Sequence, residues 1–266
     1  MLEDVHLGIL LPVFLGTMLA SIEIGFRLGR KAKSRSADDT RADVSMIAGA
    51  ILGVLGLLLG FTMSMAVTRF ELRKQLVLEE ANAIGTSYLR TKLLPPPDDA
   101  NIARLLSEYV DARLPPSDAR GVYEQIREAR ERSVQLQSDF WAKAVAYAQR
   151  DPNPVRAGLL LESLNQVIDL DAARWMAFQN HVPESVIYMN ACVALLAASL
   201  IGYSLGLGNQ RQLFSTCMLT LAVTLVLAVI IDLDSPQRGL IRVSQQPLID
   251  LRQQLSGPNP RLANGK

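Results

Sequence analysis

Apolar residues in this chain gather into four blocks, and polar residues fill the stretches between them. The blocks cover residues 7–26, 46–67, 186–207 and 213–231. At a rise of about 1.5 Å per residue, a helix of each length reaches across most or all of the roughly 30 Å hydrocarbon core of a bilayer. The pattern therefore predicts an all-α membrane protein with four transmembrane helices arranged as two hairpins.

The region between the second and third blocks, residues 68–184, is mostly polar and has a helical periodicity that prolines interrupt. It predicts helical pieces at 68–92, 99–113, 117–149 and 154–181, and no confident strand. The first piece follows the second block without a break, so we expect one long helix that runs out of the membrane. Asn153 and Pro154 suit the N-cap and the first helical position of the last piece.

The predicted organisation has four parts. A first transmembrane hairpin occupies residues 1–67, a helical extramembrane domain occupies 68–184, and a second hairpin occupies 185–231. Residues 232–266 form a C-terminal juxtamembrane segment, in which 247–255 has the pattern of a short amphipathic helix. The last residues, from 256 onward, have the composition of a disordered tail.

The second block contains no charged residue and carries a seam of small side chains. Steps of three and four residues keep the seam on one narrow helix face, formed by Gly49, Gly53, Gly56, Gly60 and Ser64. In a membrane, such a face lets another backbone approach closely. The seam favours packing between helices of one subunit, and the alternative is a face that meets a symmetry mate or lines a pathway.

The membrane orientation is predicted from the loop at residues 27–41, which is the densest short basic stretch in the chain. The positive-inside bias places this loop in the cytoplasm, so the N-terminus and the helical domain are expected to be extracytoplasmic. The first block is expected to be a retained helix rather than a cleaved signal peptide. The leader MLEDVH is acidic, and no convincing A-x-A site follows.

Charged residues cluster where the second and fourth blocks end. These two ends share one membrane face, whichever way the chain is inserted. We expect a charged collar there, which would act either as a clamp between the domain and the bundle or as the vestibule of a pore. Its members are Arg69, Arg73, Asp232, Asp234, Arg238 and Arg242.

Two polar residues lie inside the apolar blocks. Glu23 can reach Arg27 and Arg30 along one helix face, which favours an interfacial ion pair over an acid that handles ions. Asn190 favours a hydrogen bond between helices over a ligand site.

Composition and motifs exclude several classes of function. The formal net charge is +1, and no basic patch with interleaved aromatic residues is present, so a nucleic-acid partner is not expected. Cys192 and Cys217 would lie near opposite membrane faces of a hairpin, too far apart for a disulfide. No nucleophile elbow, HExxH motif or phosphate-binding loop is found, so neither an enzyme nor a cofactor is expected.

A metal site is not expected either. The two histidines, His6 and His181, are too few and too far apart in sequence for a convincing set of ligands. Acidic pairs at 79–80 and 169–171 could offer oxygens to a hard cation, but such pairs usually lie on a solvated helix face. Asp171 can also pair with Arg174 three residues later.

Three longer stretches carry a resemblance to a family. They are GLLLGFTMSMAVTRFELRKQLVLEEANAIGTSYLR at 56–90, SLNQVIDLDAAR at 163–174 and IIDLDSPQRGLIRVSQQPLIDL at 230–251. Together they resemble the bacterial "bestrophin-like domain" membrane proteins. The resemblance implies a protein of the bacterial plasma membrane with a distant similarity to bestrophins, which are oligomeric chloride-permeable channels with four spans and a helical domain between spans two and three.

In bestrophins the second helix lines the pore, so the resemblance implies that role for residues 46–67. Two features depart from the bestrophin pattern. The block is rich in Leu and Gly and has no aromatic neck motif of the bestrophin kind. Bestrophins also place the inter-span domain in the cytosol, opposite to the orientation that the basic loop predicts. No bestrophin pore or calcium-site residue is carried over to this chain.

The sequence therefore predicts a homo-oligomer in the lipid bilayer that conducts a small ion, with an anion implied by the resemblance. The alternative is a non-conducting membrane scaffold or sensor whose helical domain binds a partner. Its basis is the lack of any charged residue in the second block.

Overall fold

The computed structural model describes residues 7–32, 37–114, 122–151, 153–235 and 241–256. Every regular element in these ranges is a helix, and they contain no strand. The helices are α1 (Leu7–Lys31), α2 (Ala37–Thr91), α3 (Asp98–Arg113), α4 (Val122–Ala148), α5 (Pro154–Gln179), α6 (Glu184–Leu207), α7 (Leu213–Asp234) and α8 (Gln246–Ser256). The predicted all-α fold is confirmed.

Four helical regions are long and apolar enough to cross a membrane, and each contains one of the predicted spans. The spans lie in α1, α2, α6 and α7. The first span was predicted to end at residue 26, but α1 continues to Lys31. Its last turn carries Arg30 and Lys31, and cations at this end are favourable because the C-terminus of a helix bears partial negative charge.

Helix α2 is a single helix of 55 residues. An apolar block of about 22 residues already spans a bilayer core, so the remainder of α2 must extend beyond the hydrocarbon. The continuation through residues 68–91 confirms the long helix that the unbroken sequence pattern predicts.

The chain divides into two compact units. Unit one takes residues up to 71 together with 180–242, and unit two takes 72–179 together with 243 onward. The divisions fall inside α2 and directly after α5. The segment that was predicted as one C-terminal part, 232–266, is shared between the two units.

Unit one contains α1, the first part of α2, α6 and α7. Its core is apolar and includes Met18, Leu55, Leu59, Ala198, Val223, Leu227 and Ile230. Its surface is apolar as well: Met46, Phe61 and Phe214 are 73%, 64% and 78% exposed. Helices that are apolar on every side suit a lipid surrounding. Cys192 and Cys217 are free thiols on exposed faces of this unit.

Unit two packs the second part of α2 with α3, α4, α5 and α8. Its fully buried side chains include Ile84, Leu106, Tyr109, Phe140, Leu164 and Leu248. The side chain of Asn153 accepts a 3.1 Å hydrogen bond from the backbone N–H of Val155, and α5 begins at Pro154, so the predicted cap is confirmed. The predicted C-terminal helix is α8, and residues 257–266 lie outside the described residues.

Candidate functional site

The small-residue seam of α2 has no close neighbour among the residues that the structure describes. A Cβ atom built on Gly49, Gly53, Gly56 or Gly60 would meet nothing within 4 Å beyond the local backbone of the helix. Ser64, which continues the seam, is exposed. The favoured interpretation of the seam, as packing between helices of one subunit, is therefore wrong for the described residues.

A different face of α2 makes the contacts within unit one. Its buried residues are Ala48, Leu55, Leu59, Thr62 and Ala66, each at most 7% exposed. At about 100° per residue, this face lies about 130° around the helix from the seam. The larger leucine side chains fill the space against α6 and α7, and the glycines are left on the outer side of the unit.

Another set of glycines, which the sequence interpretation missed, does bring two helices into backbone contact. A Cβ added to any of them would fall 2.0–2.2 Å from a carbonyl oxygen of the facing helix, where no side chain fits. These glycines are Gly25 and Gly29 on α1 and Gly202 and Gly206 on α6. Each pair is spaced by four residues, the same small-residue spacing that drew attention to α2, so the signal was present in the sequence.

Asn190 joins two membrane helices through its side-chain amide. It is fully buried on α6, and its Nδ2 donates to Oγ1 of Thr62 on α2 at 2.9 Å and to the Val186 carbonyl at 2.9 Å. The Thr62 hydroxyl donates in turn to the Leu58 carbonyl at 2.7 Å. Apolar surroundings exclude water from this chain of hydrogen bonds, which fixes the relative height of α2 and α6.

Glu23 holds two arginines at one end of unit one. Its Oε1 lies 2.8 Å from Arg27 Nε and 3.2 Å from Arg211 Nη2. The sequence spacing suggested Arg30 as the second partner, but the short connection between α6 and α7 brings Arg211 beside α1 instead. The guanidinium of Arg211 also lies over the ring of Phe26, 4.6 Å from its centroid.

The predicted collar residues belong to both units. Arg69, Asp232, Asp234 and Arg242 are in unit one, Arg73 is in unit two, and Arg238 lies outside the described residues. The Nε of Arg73 donates to the Ala177 carbonyl at 3.0 Å within unit two.

The two collar aspartates hold backbone at one end of unit one. Both carboxylate oxygens of Asp234 accept from the N–H of Val182 at 3.0 Å, and His181 Nδ1 lies 3.5 Å from its Oδ2. Asp232 Oδ2 accepts from the N–H of Ile241 at 2.9 Å. These bonds tie the segments before α6 and after α7 to the end of α7.

Unit two contains a buried ion network that sequence spacing did not reveal. Glu80 of α2 is fully buried and pairs with Arg113 of α3, with 2.8 Å between Oε1 and Nε, and with Arg174 of α5. Asp171 of α5, 2% exposed, pairs with Nη1 of Arg113 at 2.7 Å and with Nη1 of Arg130 at 3.4 Å. The expectation of solvated acids is thus wrong for Glu80 and Asp171, whereas Asp169 is exposed and Glu79 partly exposed. The expected Asp171–Arg174 pair is also wrong, because Arg174 pairs with Glu80 and arginines of other helices pair with Asp171.

Neutral side chains complete the network. The hydroxyl of Tyr109 donates to Glu80 at 2.9 Å, and the amide of Gln137 donates to Asp171 at 3.0 Å. Burial raises the pKa of Tyr109 well above its ordinary value, and the negative charge of Glu80 adds to that rise. Burial is the largest single influence on Arg113 and would lower its pKa, but Glu80 and the other acidic groups around the guanidinium together outweigh burial and raise that pKa above its ordinary value. The phenol of Tyr109 therefore stays neutral beside the Glu80 carboxylate, whose own pKa is held below its ordinary value by Arg174 and Arg113 against the opposing effect of burial.

Residues 16–248 match the family model of the Bestrophin-like domain. Two solved structures of a bacterial bestrophin homolog from Klebsiella pneumoniae, one with a point mutation and one phased by Zn-SAD, are similar to this chain with a TM-score of 0.63 each. Their sequence identities are 14% and 15%, and the likeness covers 90% of this chain and 96% of theirs, which shows a shared fold. The comparison with curated proteins gives no match.

Proposed function

The chain belongs to the bestrophin-like family, and on this premise we propose that several copies of it assemble in the membrane into an ion channel. The proposal follows from what the resemblance to bestrophins implies, namely an oligomer in which the second helix lines the pore. It gives the protein no catalytic role. The resemblance to bestrophins implies that the conducted ion is an anion. The lack of acidic side chains in residues 46–67 agrees with this, because cation channels commonly select with rings of Asp or Glu.

The observation that carries the proposal is the bare seam on α2. Among the described residues, nothing lies within 4 Å of a Cβ built on Gly49, Gly53, Gly56 or Gly60, whereas four glycines of α1 and α6 lie against the backbone of the facing helix. Those four are Gly25, Gly29, Gly202 and Gly206. Each glycine on the α2 seam lowers the stability of the helix by about 0.5–1 kcal/mol relative to alanine. Because the four seam glycines make no such contact with the described residues of the subunit, we expect them to serve a contact outside it. Close approach of a neighbouring subunit around a narrow pathway is that contact.

Planar-bilayer recording of the purified protein tests the proposal. Gly56→Leu places a bulky side chain on the seam and is expected to reduce the conductance severalfold or abolish it. Val54→Phe adds similar bulk on the exposed face about 120° away and serves as the matched control, with conductance expected to persist. Absence of conductance in the wild type, or equal effects of both variants, would contradict the pore assignment.

We also propose a membrane orientation. The basic loop at 27–41 supports a cytoplasmic position for that loop, with the N-terminus and the domain at 68–184 outside the cytoplasm of a bacterial plasma membrane. Topology reporters fused at residues 33 and 96 should read cytoplasmic and extracytoplasmic, respectively. The opposite result would give the chain the orientation of bestrophins and leave the channel proposal intact.

A second candidate function is a non-conducting scaffold or sensor. It is favoured by exposed apolar side chains in unit two, among them Leu89, Val155 and Met176 at 63%, 65% and 65% exposure. A partner captured only when residues 99–181 are present, together with a silent bilayer recording, would support this function over the channel.

A further inference from the structure

Two exposed arginines share a single carboxylate oxygen at one end of unit one. Arg27 Nε and Arg211 Nη2 lie 2.8 and 3.2 Å from the same Oε1 of Glu23, so the two guanidinium groups are neighbours. Their side chains are 70% and 51% exposed, whereas that of Glu23 is 36% exposed. One carboxylate cannot neutralise two guanidinium groups, so positive charge remains on the outward side of this pair.

The arrangement is held in place rather than formed by two free side chains. Arg27 lies one turn after Glu23 on α1, and Arg211 stacks on the ring of Phe26 at 4.6 Å from the centroid. The contacts with Glu23 use one nitrogen of each guanidinium. Each arginine has five N–H donors in a planar fork, and such forks match the oxygens of a phosphate group. The unused donors can therefore bind a second anion next to Glu23.

The surroundings identify the kind of anion. Arg27 directly follows the apolar block of α1, and Arg211 precedes the first residue of α7 by two positions, so both lie where apolar helices end. Beside them are exposed apolar side chains of these two contacting helices, namely Ile24 and Leu28 on α1 and Leu213 and Phe214 on α7, which are 53–78% exposed. A ligand that combines a phosphate with long hydrocarbon chains satisfies both parts of this surface.

We infer that Arg27 and Arg211 form a binding site for the phosphate of an anionic phospholipid, whose acyl chains lie along the exposed apolar side chains of α1 and α7. The site is separate from the seam of α2 and does not depend on ion conduction. A basic side chain near an anionic membrane surface contributes about a fivefold change in binding. Loss of one arginine is therefore expected to reduce lipid retention by about that factor.

Native mass spectrometry of the full-length protein in detergent tests the inference, with phosphatidylglycerol and phosphatidylcholine of identical acyl chains as probes. The wild type should retain phosphatidylglycerol in preference to phosphatidylcholine. Arg27→Gln and Arg211→Gln should each weaken retention of phosphatidylglycerol about fivefold. Arg104→Gln is the matched control, because Arg104 is 58% exposed in a similar one-turn pair with Glu108. No second arginine pairs with Glu108 among the described residues, so this variant should retain lipid as the wild type does.

A variant that is expected to increase lipid retention shows that a loss of retention in the arginine variants is not caused by misfolding. Glu23→Gln keeps the shape of the side chain and removes its negative charge, so retention of phosphatidylglycerol should increase. Equal retention of both lipids by the wild type, unchanged retention in both arginine variants, or an equal loss in Arg104→Gln would overturn the inference. Displacement of phosphatidylglycerol by an equal concentration of inorganic phosphate would also overturn it, since the site would then bind the free ion.

Discussion

The side-chain amide of Asn190 on α6 donates a 2.9 Å hydrogen bond to the hydroxyl of Thr62 on α2, and both side chains are at most 2% exposed. This bond joins the helix that carries the bare glycine seam to the second hairpin. It is polar and directional, in contrast to the apolar contacts around it. It therefore specifies the axial position of α2 more sharply than leucine packing does.

The energy of the Asn190–Thr62 bond can be measured by a double-mutant cycle. Thr62→Val and Asn190→Leu should each destabilise unit one, with a coupling free energy of about 0.6 kcal/mol and no more than about 1.7 kcal/mol, the range for such bonds between membrane helices. Equilibrium unfolding of the purified protein in detergent provides the measurement. Thr216→Val is the control, because the hydroxyl of Thr216 is bonded only to local carbonyls at the start of α7, those of Gln212 and Leu213, and its removal should not couple to Asn190→Leu.

The contact between α1 and α6 leaves no room for a methyl group at Gly202. A Cβ at this position would lie 2.1 Å from the carbonyl oxygen of Ile22, so Gly202→Ala must push the helices apart. We expect a loss of about 1–3 kcal/mol in the free energy of unfolding, as for overpacked cores. Gly16→Ala on α1 meets nothing within 4 Å and should leave stability unchanged or raise it by about 0.5–1 kcal/mol. Equal losses in both variants would contradict the close approach.

These two cases show which parts of the fold the sequence predicts. The positions of the helices follow from apolar blocks and prolines, because both act within the local chain. Which face of α2 packs inward does not follow, since glycine spacing at Gly49–Gly60 and at Gly25–Gly29 looks alike. The inward face of α2 is the one that carries Leu55 and Leu59, and their contacts depend on where α6 and α7 lie.

The pairing within the ion network of unit two could not be predicted from the sequence, because the partners lie on different helices. Spacing along one helix suggests an Asp171–Arg174 pair, but Glu80, 94 residues before Arg174, is its partner in the fold. Local spacing only limits which pairs are possible. Tertiary packing of α2, α3 and α5 decides which carboxylate each arginine reaches.

The network predicts a large cost for removing its central acid. Glu80→Gln leaves Arg113 and Arg174 without their shared carboxylate in a buried site, and we expect a loss of about 3–5 kcal/mol in the free energy of unfolding. Chemical denaturation of the full chain measures it. The matched variant Glu108→Gln breaks an exposed pair with Arg104 and should cost no more than about 1 kcal/mol. Similar costs in the two variants would show that the buried pairs are not stabilising.

The acid sensitivity of unit two should depend on Asp151, which follows α4. The hydroxyl of Tyr147 donates to its carboxylate, and the N–H of Asn153 donates at 2.9 Å. The Tyr147 hydrogen bond, followed by that of the Asn153 N–H, holds the pKa of Asp151 below its ordinary value. Because the folded pKa lies below the unfolded one, the stabilising contribution is present above the unfolded pKa and is lost as the pH falls through the folded pKa.

Replacing this acid should therefore change the pH profile and not only the stability. Asp151→Asn is expected to lower the melting temperature at pH 7 and to flatten its fall as the pH drops below the ordinary aspartate pKa of about 3.9, because an amide has no proton to gain there. Tyr147→Phe removes one of the donors to Asp151, which keeps those of Asn153 and Arg156, and should shift the profile in the same direction by less. Melting curves of the full-length protein across this range provide the measurement. A profile for Asp151→Asn that runs parallel to that of the wild type would mean that the charge of Asp151 contributes nothing to the stability of the fold.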